Sequence, residues 1–232
     1  MYRKFIKRIL DVILSGSALL ILSPVYLLLY ILVRVKLGAP VFFTQPRPGL
    51  HGKVFNIYKF RTMTDARDEQ GNLLPDEVRL TPFGKTLRST SLDELPEIWN
   101  IFIGDMSIVG PRPQLVRDMV FFDEIVMQRQ SVIPGLTGLA QICGRNNISW
   151  EDKFKYDLRY IQKISFWEDM RIIFRTVFKV VERDDINTDG MATAEDYGDY
   201  LLRIGKIDKQ TYDEKQAEAL RLIKDSGLRI QD

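Results

Sequence analysis

The chain has 232 residues, 45% hydrophobic and 28% charged, with a formal net charge of +2. That balance excludes a disordered, collagen-like or low-complexity protein and points to one compact domain, or one domain with an appendage. One cysteine, Cys143, and one histidine, His51, exclude an internal disulfide, a zinc finger and a three-histidine metal site. With no G-x-S-x-G elbow for a Ser-His-Asp triad either, enzymatic chemistry falls to carboxylates, Lys, Arg and hydroxyls.

The charge is unevenly spread. Residues 1–60 carry nine basic side chains (Arg3, Lys4, Lys7, Arg8, Arg34, Lys36, Arg47, Lys53, Lys59) and one acid, Asp11, so they balance at +8 and the rest at −6. A basic end on an acidic body suits an anionic partner. The basic residues flank an apolar stretch, which favours anionic lipid over nucleic acid. That stretch, residues 12–33, is VILSGSALLILSPVYLLLYILV, 22 residues without a charge. A helix of that length crosses a hydrocarbon core of roughly 30 Å. It is too long for a cleaved signal, and no A-x-A site follows it. Ser23-Pro24 lies near its midpoint. Proline lacks an N–H and clashes with the carbonyl four residues back, at Leu20, so the helix should kink there. Basic flanks prefer the cytoplasmic side. A spanning helix frustrates one flank, whereas a helix–break–helix hairpin returning to the same face satisfies both. Ser23 could satisfy backbone groups freed at the break. On the residues alone, both topologies stay open.

The body that follows reads as α/β, mostly helical with a short β element. Residues 41–44 and 54–60 are rich in Val, Phe, Ile and Tyr and read as strands, separated by the turn-rich QPRPGLHGK. Residues 65–77 read as an exposed loop or short helix. Thr81-Pro82 predicts an N-cap with proline at the first helical position, opening a helix to about Arg88. Ser91 opens another, to about Ile103. Residues 105–109 are extended, Gly110-Pro111-Arg112-Pro113 is an ordered turn, and a helix is expected from Pro113 to about Gln130. Residues 133–145 read as a loop. Ser149 caps a helix to about Lys163, and Ser165-Phe166-Trp167-Glu168 is a capping box for a helix to about Arg183. On that helix Phe166, Trp167, Met170, Ile173, Phe174, Val177, Phe178 and Val181 form a broad apolar face. It suits a core-covering helix or one lying in a membrane interface. Residues 184–193 read as a linker. Two short helices, 194–203 and 209–224, form an appendage with no evident chemistry.

The densest polar cluster runs from Arg88 through SLDELPEIWN to GDMSIVGPRP. Asp93 and Glu94 are adjacent. Glu94 can close a capping box with Ser91, and Asp93 can simply favour a helix start. The same helix start would keep Asp93 ionised and attract a phosphate, which makes Asp93 a candidate nucleophile on phosphorus. Arg112 sits between two prolines, whose fixed φ makes its backbone rigid and suits a forked phosphate contact. Lys59, Arg61, Arg88 and Arg145 are further cations near turns or element ends.

Together YKFRTM (58–63), SLDELPEIWNIFIGDMSIVGPRP (91–113) and PGLTGLAQICGRNNISW (134–150) resemble the bacterial sugar transferase family, the monotopic phosphoglycosyl transferases. The likeness covers the chain to about Val181 and is closest to small single-domain members of the protein-glycosylation type. It implies transfer of a sugar-1-phosphate from a UDP-sugar to undecaprenyl phosphate, with release of UMP, at the start of glycoconjugate or exopolysaccharide assembly. It also implies Mg²⁺ and a re-entrant membrane hairpin broken at Ser23 and Pro24. The catalytic domain would then lie on the cytoplasmic face of the bacterial inner membrane, with interfacial amphipathic helices. By the resemblance Asp93 is the nucleophile of a covalent phosphosugar intermediate. Glu94 is its partner, as base or Mg²⁺ ligand, and Asp93 and Glu94 together are the metal-facing pair. Arg88, Arg112 and Arg145 face phosphates, and Lys59 lies in the matching YKF motif.

The implied division is a hairpin at 1–36, a catalytic domain at 37–190 and a helical appendage at 191–232, which offers a surface for oligomerisation such as a homodimer. The motifs do not name the sugar, although the glycosylation-type likeness leans toward an N-acetylated hexosamine. Two rivals remain: a membrane-anchored scaffold with the same fold and no activity, and a one-step transferase in which Asp93 only binds Mg²⁺.

Overall fold

The structure, a computed structural model, describes residues 1–144, 148–182 and 195–228. After a short π-helical turn at Tyr2–Ile6, helices Lys7–Ile21 (α1) and Ser23–Leu37 (α2) meet at a 62° bend. The bend has the cause the sequence predicts. Pro24 has no N–H for the Leu20 carbonyl, and Ser23 Oγ donates to that carbonyl at 2.8 Å instead. Among the described residues no single helix is long and apolar enough to cross a membrane; the bent pair passes by length and composition only.

The basic flank is more committed than its sequence implies. Lys7 Nζ pairs with Asp169 at 2.6 Å, and Arg8 donates to the carbonyls of Ile101 and Phe102 at 2.6 and 2.8 Å. Those carbonyls close helix Glu97–Ile103 (α5), so Arg8 satisfies acceptors that the helix end leaves unpaired. Asp11 is buried and accepts from Ser107 Oγ at 2.7 Å and from the Ile108 amide at 3.0 Å. Lys7 and Arg8 of the basic flank therefore fasten α1 to the body.

Strands Phe42–Pro48 (β1) and Val54–Phe60 (β2) form an antiparallel ribbon, with Phe42 opposite Phe60 and Pro48 opposite Val54. β1 thus runs through Gln45–Pro48, which the sequence reads as turn. The ribbon's bonds fall at odd positions, from the Arg61 amide to the Val41 carbonyl and from the Gly49 amide to the Lys53 carbonyl. Pro46 and Pro48 consequently face the outer edge, where no N–H is needed. Leu29 and Val33 of α2 pack with Val41, Phe60 and Leu87 in one buried cluster. Each such side chain contributes roughly 1.5–3 kcal/mol of burial, so the hairpin's second helix is part of the core.

Helices Asp76–Arg79 (α3) and Pro82–Ser89 (α4) follow, and the Gly84 amide donates to Thr81 Oγ1 at 3.1 Å as expected of the cap. Beyond α4 three expectations are corrected. The Ser91 capping box does not form: Ser91 adopts left-handed backbone (φ 54°) and makes no side-chain cap, so only a 3₁₀ turn at Leu92–Glu94 precedes α5. The expected helix from Pro113 to Gln130 is instead Val116–Met119 (α6), Glu124–Met127 (α7) and a 3₁₀ turn at Gln128–Ser131. Two side chains break it, Asp118 accepting the Leu115 amide and Asp123 accepting the Val126 amide, each starting a new turn. The expected loop at 133–145 contains strand Gly135–Thr137 (β4), parallel to Ser107–Val109 (β3), and helix Leu139–Cys143 (α8). A Cβ on Gly135 would lie 2.0 Å from the Gly110 amide nitrogen, so the glycine is there for close strand approach rather than for a turn.

Helices Trp150–Gln162 (α9) and Phe166–Glu182 (α10) lie where predicted, with Ser149 and Ser165 accepting the Asp152 and Glu168 amides. The buried side of α10 is Asp169 and Ile172, whereas Trp167, Phe174, Val177 and Phe178 are exposed. Ile172 and Ile173 join the buried cluster around Tyr160, so α10 covers the core along one side and leaves much of its apolar face exposed. Helices Tyr197–Arg203 (α11) and Lys209–Asp225 (α12) pack on the body, with Ala219 in a buried cluster with Val116, Met119 and Val120.

Candidate active site

β2, the 3₁₀ turn and the Pro-flanked turn bring the charged residues together. Lys59 Nζ on β2 pairs with Glu94 Oε1 at 2.8 Å and with Glu97 Oε1 at 3.2 Å. Arg112 pairs with the same Glu94 oxygen. Burial alone would push the Glu94 carboxyl up, but Arg112 and Lys59 override it and hold the group well below the usual carboxylate range. Burial lowers Lys59, yet Glu94 and Glu97 outweigh it and leave the ammonium raised. Asp93 is 8% exposed. Burial pushes its carboxyl up to about 6, Glu94 adds to that, and Lys59 and Arg88 oppose it. The one-turn 3₁₀ helix offers little to oppose this, so desolvation sets the direction of the shift, and a carboxyl near 6 is still largely ionised at neutral pH.

Arg88 Nε donates to Thr62 Oγ1 at 3.0 Å. The rigid presentation of Arg112 has a further cause besides its prolines. Arg129, 2% exposed, pairs with Asp157 at 2.8 Å and donates to the Arg112 carbonyl at 2.9 Å. A cavity of about 550 Å³ opens here, and Glu94, Arg88 and Arg112 line it. Lys59 and Asp93 are not among its lining residues; Lys59 reaches it through Glu94. Arg61 is apart from the cluster, with its guanidinium on the Met63 and Ala39 carbonyls. Arg145 lies outside the described residues, so its placement is not part of this geometry. Ser23 and Pro24 sit at the hairpin bend.

Residues 2–183 match the family described as bacterial sugar transferase. The chain belongs to that family. It is 50% identical over 190 residues to an uncharacterized sugar transferase, EpsL, of Bacillus subtilis (strain 168), covering 82% of this chain and 94% of that one. It is 42% identical to the UDP-glucose:undecaprenyl-phosphate glucose-1-phosphate transferase of Klebsiella pneumoniae over 75% of this chain but only 39% of that longer protein. It is 37% identical to the exopolysaccharide production protein ExoY of Rhizobium meliloti (strain 1021), over 74% of this chain and 83% of that one.

Within this sugar transferase, sequence reasoning missed four residues. Glu97 is fully buried, shares Lys59, and is pushed up to about 7, chiefly by burial. Its signal was a third acid in SLDELPE, one helical turn beyond Glu94. Arg47 lines the cavity and donates to the Pro113 carbonyl at 3.1 Å, and burial and Arg112 lower it to about 10. Glu195 and Asp196 also line the cavity, although no pattern in the appendage pointed to chemistry and the family match ends before them.

Proposed function

We propose that this protein transfers a sugar-1-phosphate from a UDP-sugar to undecaprenyl phosphate through a covalent intermediate on Asp93. In the first half, an Asp93 oxygen attacks the sugar-bearing phosphorus. The bond from that phosphorus to the bridging oxygen breaks, and UMP leaves with the electron pair. In the second half, an oxygen of undecaprenyl phosphate attacks the same phosphorus and expels Asp93. The observation that carries this reading is a shielded, hard-to-ionise carboxylate next to a Glu94 clamped by Lys59 and Arg112, with Arg88 and Arg112 lining the adjoining cavity. The cations offset the repulsion between phosphates and carboxylates. Family membership and the printed names of relatives support the substrate class.

Mg²⁺ fits as a shared ion. No cluster of three or more metal-binding side chains exists among the described residues, and Mg²⁺ is commonly held by one or two carboxylates plus substrate phosphates and water. Asp93 and Glu94 would supply those carboxylates. When bound, the ion neutralises charge on the diphosphate. Lys59 and Arg112 hold Glu94 ionised, and the Arg129–Asp157 pair fixes the backbone that presents Arg112.

The reading includes a membrane hairpin re-entering the cytoplasmic face of the inner membrane, supported by the 62° bend at Ser23-Pro24. The decisive experiment is a UMP-release screen with undecaprenyl phosphate over UDP-glucose, UDP-galactose and N-acetylated donors, followed by mass spectrometry of protein and donor alone. A phosphosugar adduct on Asp93 is expected. UMP release without any adduct overturns the two-step scheme, and no release with any donor supports the scaffold reading.

A further inference from the structure

The cavity's lining divides by chemistry. Arg88, Arg112 and Glu94 come from α4, the 3₁₀ turn and the proline-flanked turn. On the side built by α8, α9 and the C-terminal segment, the acceptors of Gln141, Asp157, Glu195 and Asp196 outnumber the single ammonium of Lys153. Gln141, Asp157 and Asp196 all line the cavity. Asp157 is 2% exposed, and its Oδ1 is buried without a hydrogen-bond partner among the described residues, as is Gln141 Oε1. Buried acceptors without donors are rare, and such a pair calls for a ligand that brings donors. A phosphate brings none and is repelled by carboxylates. A hexose brings several hydroxyls.

Asp196 is carried in by a segment outside the family match. That segment is firmly seated. The Tyr197 amide donates to Asp118 Oδ1 at 2.8 Å, and the Tyr197 ring packs 5.0 Å from Phe154 and 5.2 Å from Trp150. Phe121 stacks on Tyr212 of α12, and Arg117 pairs with Asp196. Glu195 and Asp196 are therefore held at the cavity wall by the packing of the segment that follows them.

We propose that Gln141, Asp157 and Asp196 form the hexose subsite of the donor, and that Asp196, supplied by the C-terminal segment, helps set which hexose is accepted. The inference rests on the transferase reading above and deepens it. It gives the segment a role in donor choice, with the cationic side left to the diphosphate.

The test compares two variants that break the same ion pair from opposite ends. Steady-state rates are measured for the full chain over the UDP-sugar panel, with undecaprenyl phosphate as acceptor. Asp196→Asn is expected to lower kcat/KM for the preferred donor about tenfold or more, the usual cost of losing a hydrogen bond to a charged acceptor. It should also change the ratio between donors that differ at one hydroxyl, and leave the KM for undecaprenyl phosphate unchanged. Arg117→Ala removes the ion pair but keeps the carboxylate, so its donor ratios should match the parent's. Lys224→Ala, at an exposed position near the end of α12, reports on the assay itself and should match the parent throughout. Equal effects of Asp196→Asn and Arg117→Ala, or unchanged donor ratios in Asp196→Asn, overturn the subsite. A parent protein that releases no UMP from any donor removes the transferase reading, and the subsite with it, which is a distinguishable failure.

Discussion

A carboxylate must be ionised to attack phosphorus, and the burial of Asp93 works against ionisation. With its carboxyl pushed up to about 6, the reactive fraction shrinks as pH falls through that value. The kcat/KM for the donor, which reports the free enzyme, is expected to drop about tenfold per pH unit below 6. A pH–rate profile flat down to pH 5 would contradict this. Stability runs the other way. The folded state holds the Asp93 proton more tightly than the unfolded chain, whose ordinary value is 3.8. Asp93 therefore costs nothing below pH 4, costs progressively more as pH rises toward 6, and keeps that cost above it. Asp93→Asn should abolish turnover yet raise stability by about 1–3 kcal/mol at pH 7.5, with the difference vanishing near pH 4. Urea titrations at the two pH values check it. Lys59 presents the converse case, because Glu94 and Glu97 both depend on it. Lys59→Met leaves Glu97 without a cation and Glu94 with Arg112 alone, and should cost about 3–5 kcal/mol. Adding Glu97→Gln should recover part of that loss, and a double-mutant cycle by denaturant melts measures the coupling.

At the scale of elements, the hairpin break shows what local sequence can specify. Proline's missing N–H and the serine one residue before it make a backbone defect and its repair within four residues, so the bend was legible. So were the serine and threonine caps of α4, α9 and α10, each a contact between neighbours in sequence. The failures share one cause. Glu94 leaves the Ser91 box for Lys59, 35 residues away, because a buried carboxylate gains more from two cations than from one amide. β4 hid in a glycine-rich run because its Gly135 serves a parallel neighbour 28 residues upstream, at Ser107. The roles of Lys7 and Arg8 were invisible for the same reason: their partners lie in α10 and α5. The chemistry-bearing residues were legible as a set, but their charge states were not, since those depend on burial. The break makes a topological prediction. In a Cys143→Ser background, Arg3→Cys and Lys36→Cys should react with an impermeant thiol reagent from the same side of the membrane. Labelling from opposite sides would sink the hairpin.

Across the whole molecule, exposed apolar side chains gather on elements that touch one another. Phe5, Ile9 and Ile13 lie on the N-terminal arm, Trp99, Phe102 and Ile103 on α5, and Trp167, Phe174 and Phe178 on α10. Arg8 binds the end of α5, Lys7 binds Asp169 of α10, and Tyr2 meets Phe166 edge-on at 6.0 Å. The polar bonds thus hold three apolar surfaces beside α1. Such an area is far larger than isolated surface hydrophobics require and suits a membrane interface. If it seats the catalytic body on lipid, it should matter for the acceptor, which lives in the membrane, and not for the soluble donor. The variant Trp167→Glu with Phe174→Glu tests this at positions 79% and 65% exposed, where the fold loses little. It should keep the parent's melting temperature and its rate of phosphosugar adduct formation from UDP-sugar alone. Its turnover with undecaprenyl phosphate in anionic vesicles should fall about tenfold or more, because each buried charge opposes interfacial seating. Dispersing both protein and acceptor in detergent micelles should restore most of that turnover. An equal loss in both half-reactions would mean that the two aromatic residues support the active site itself rather than its place on the membrane.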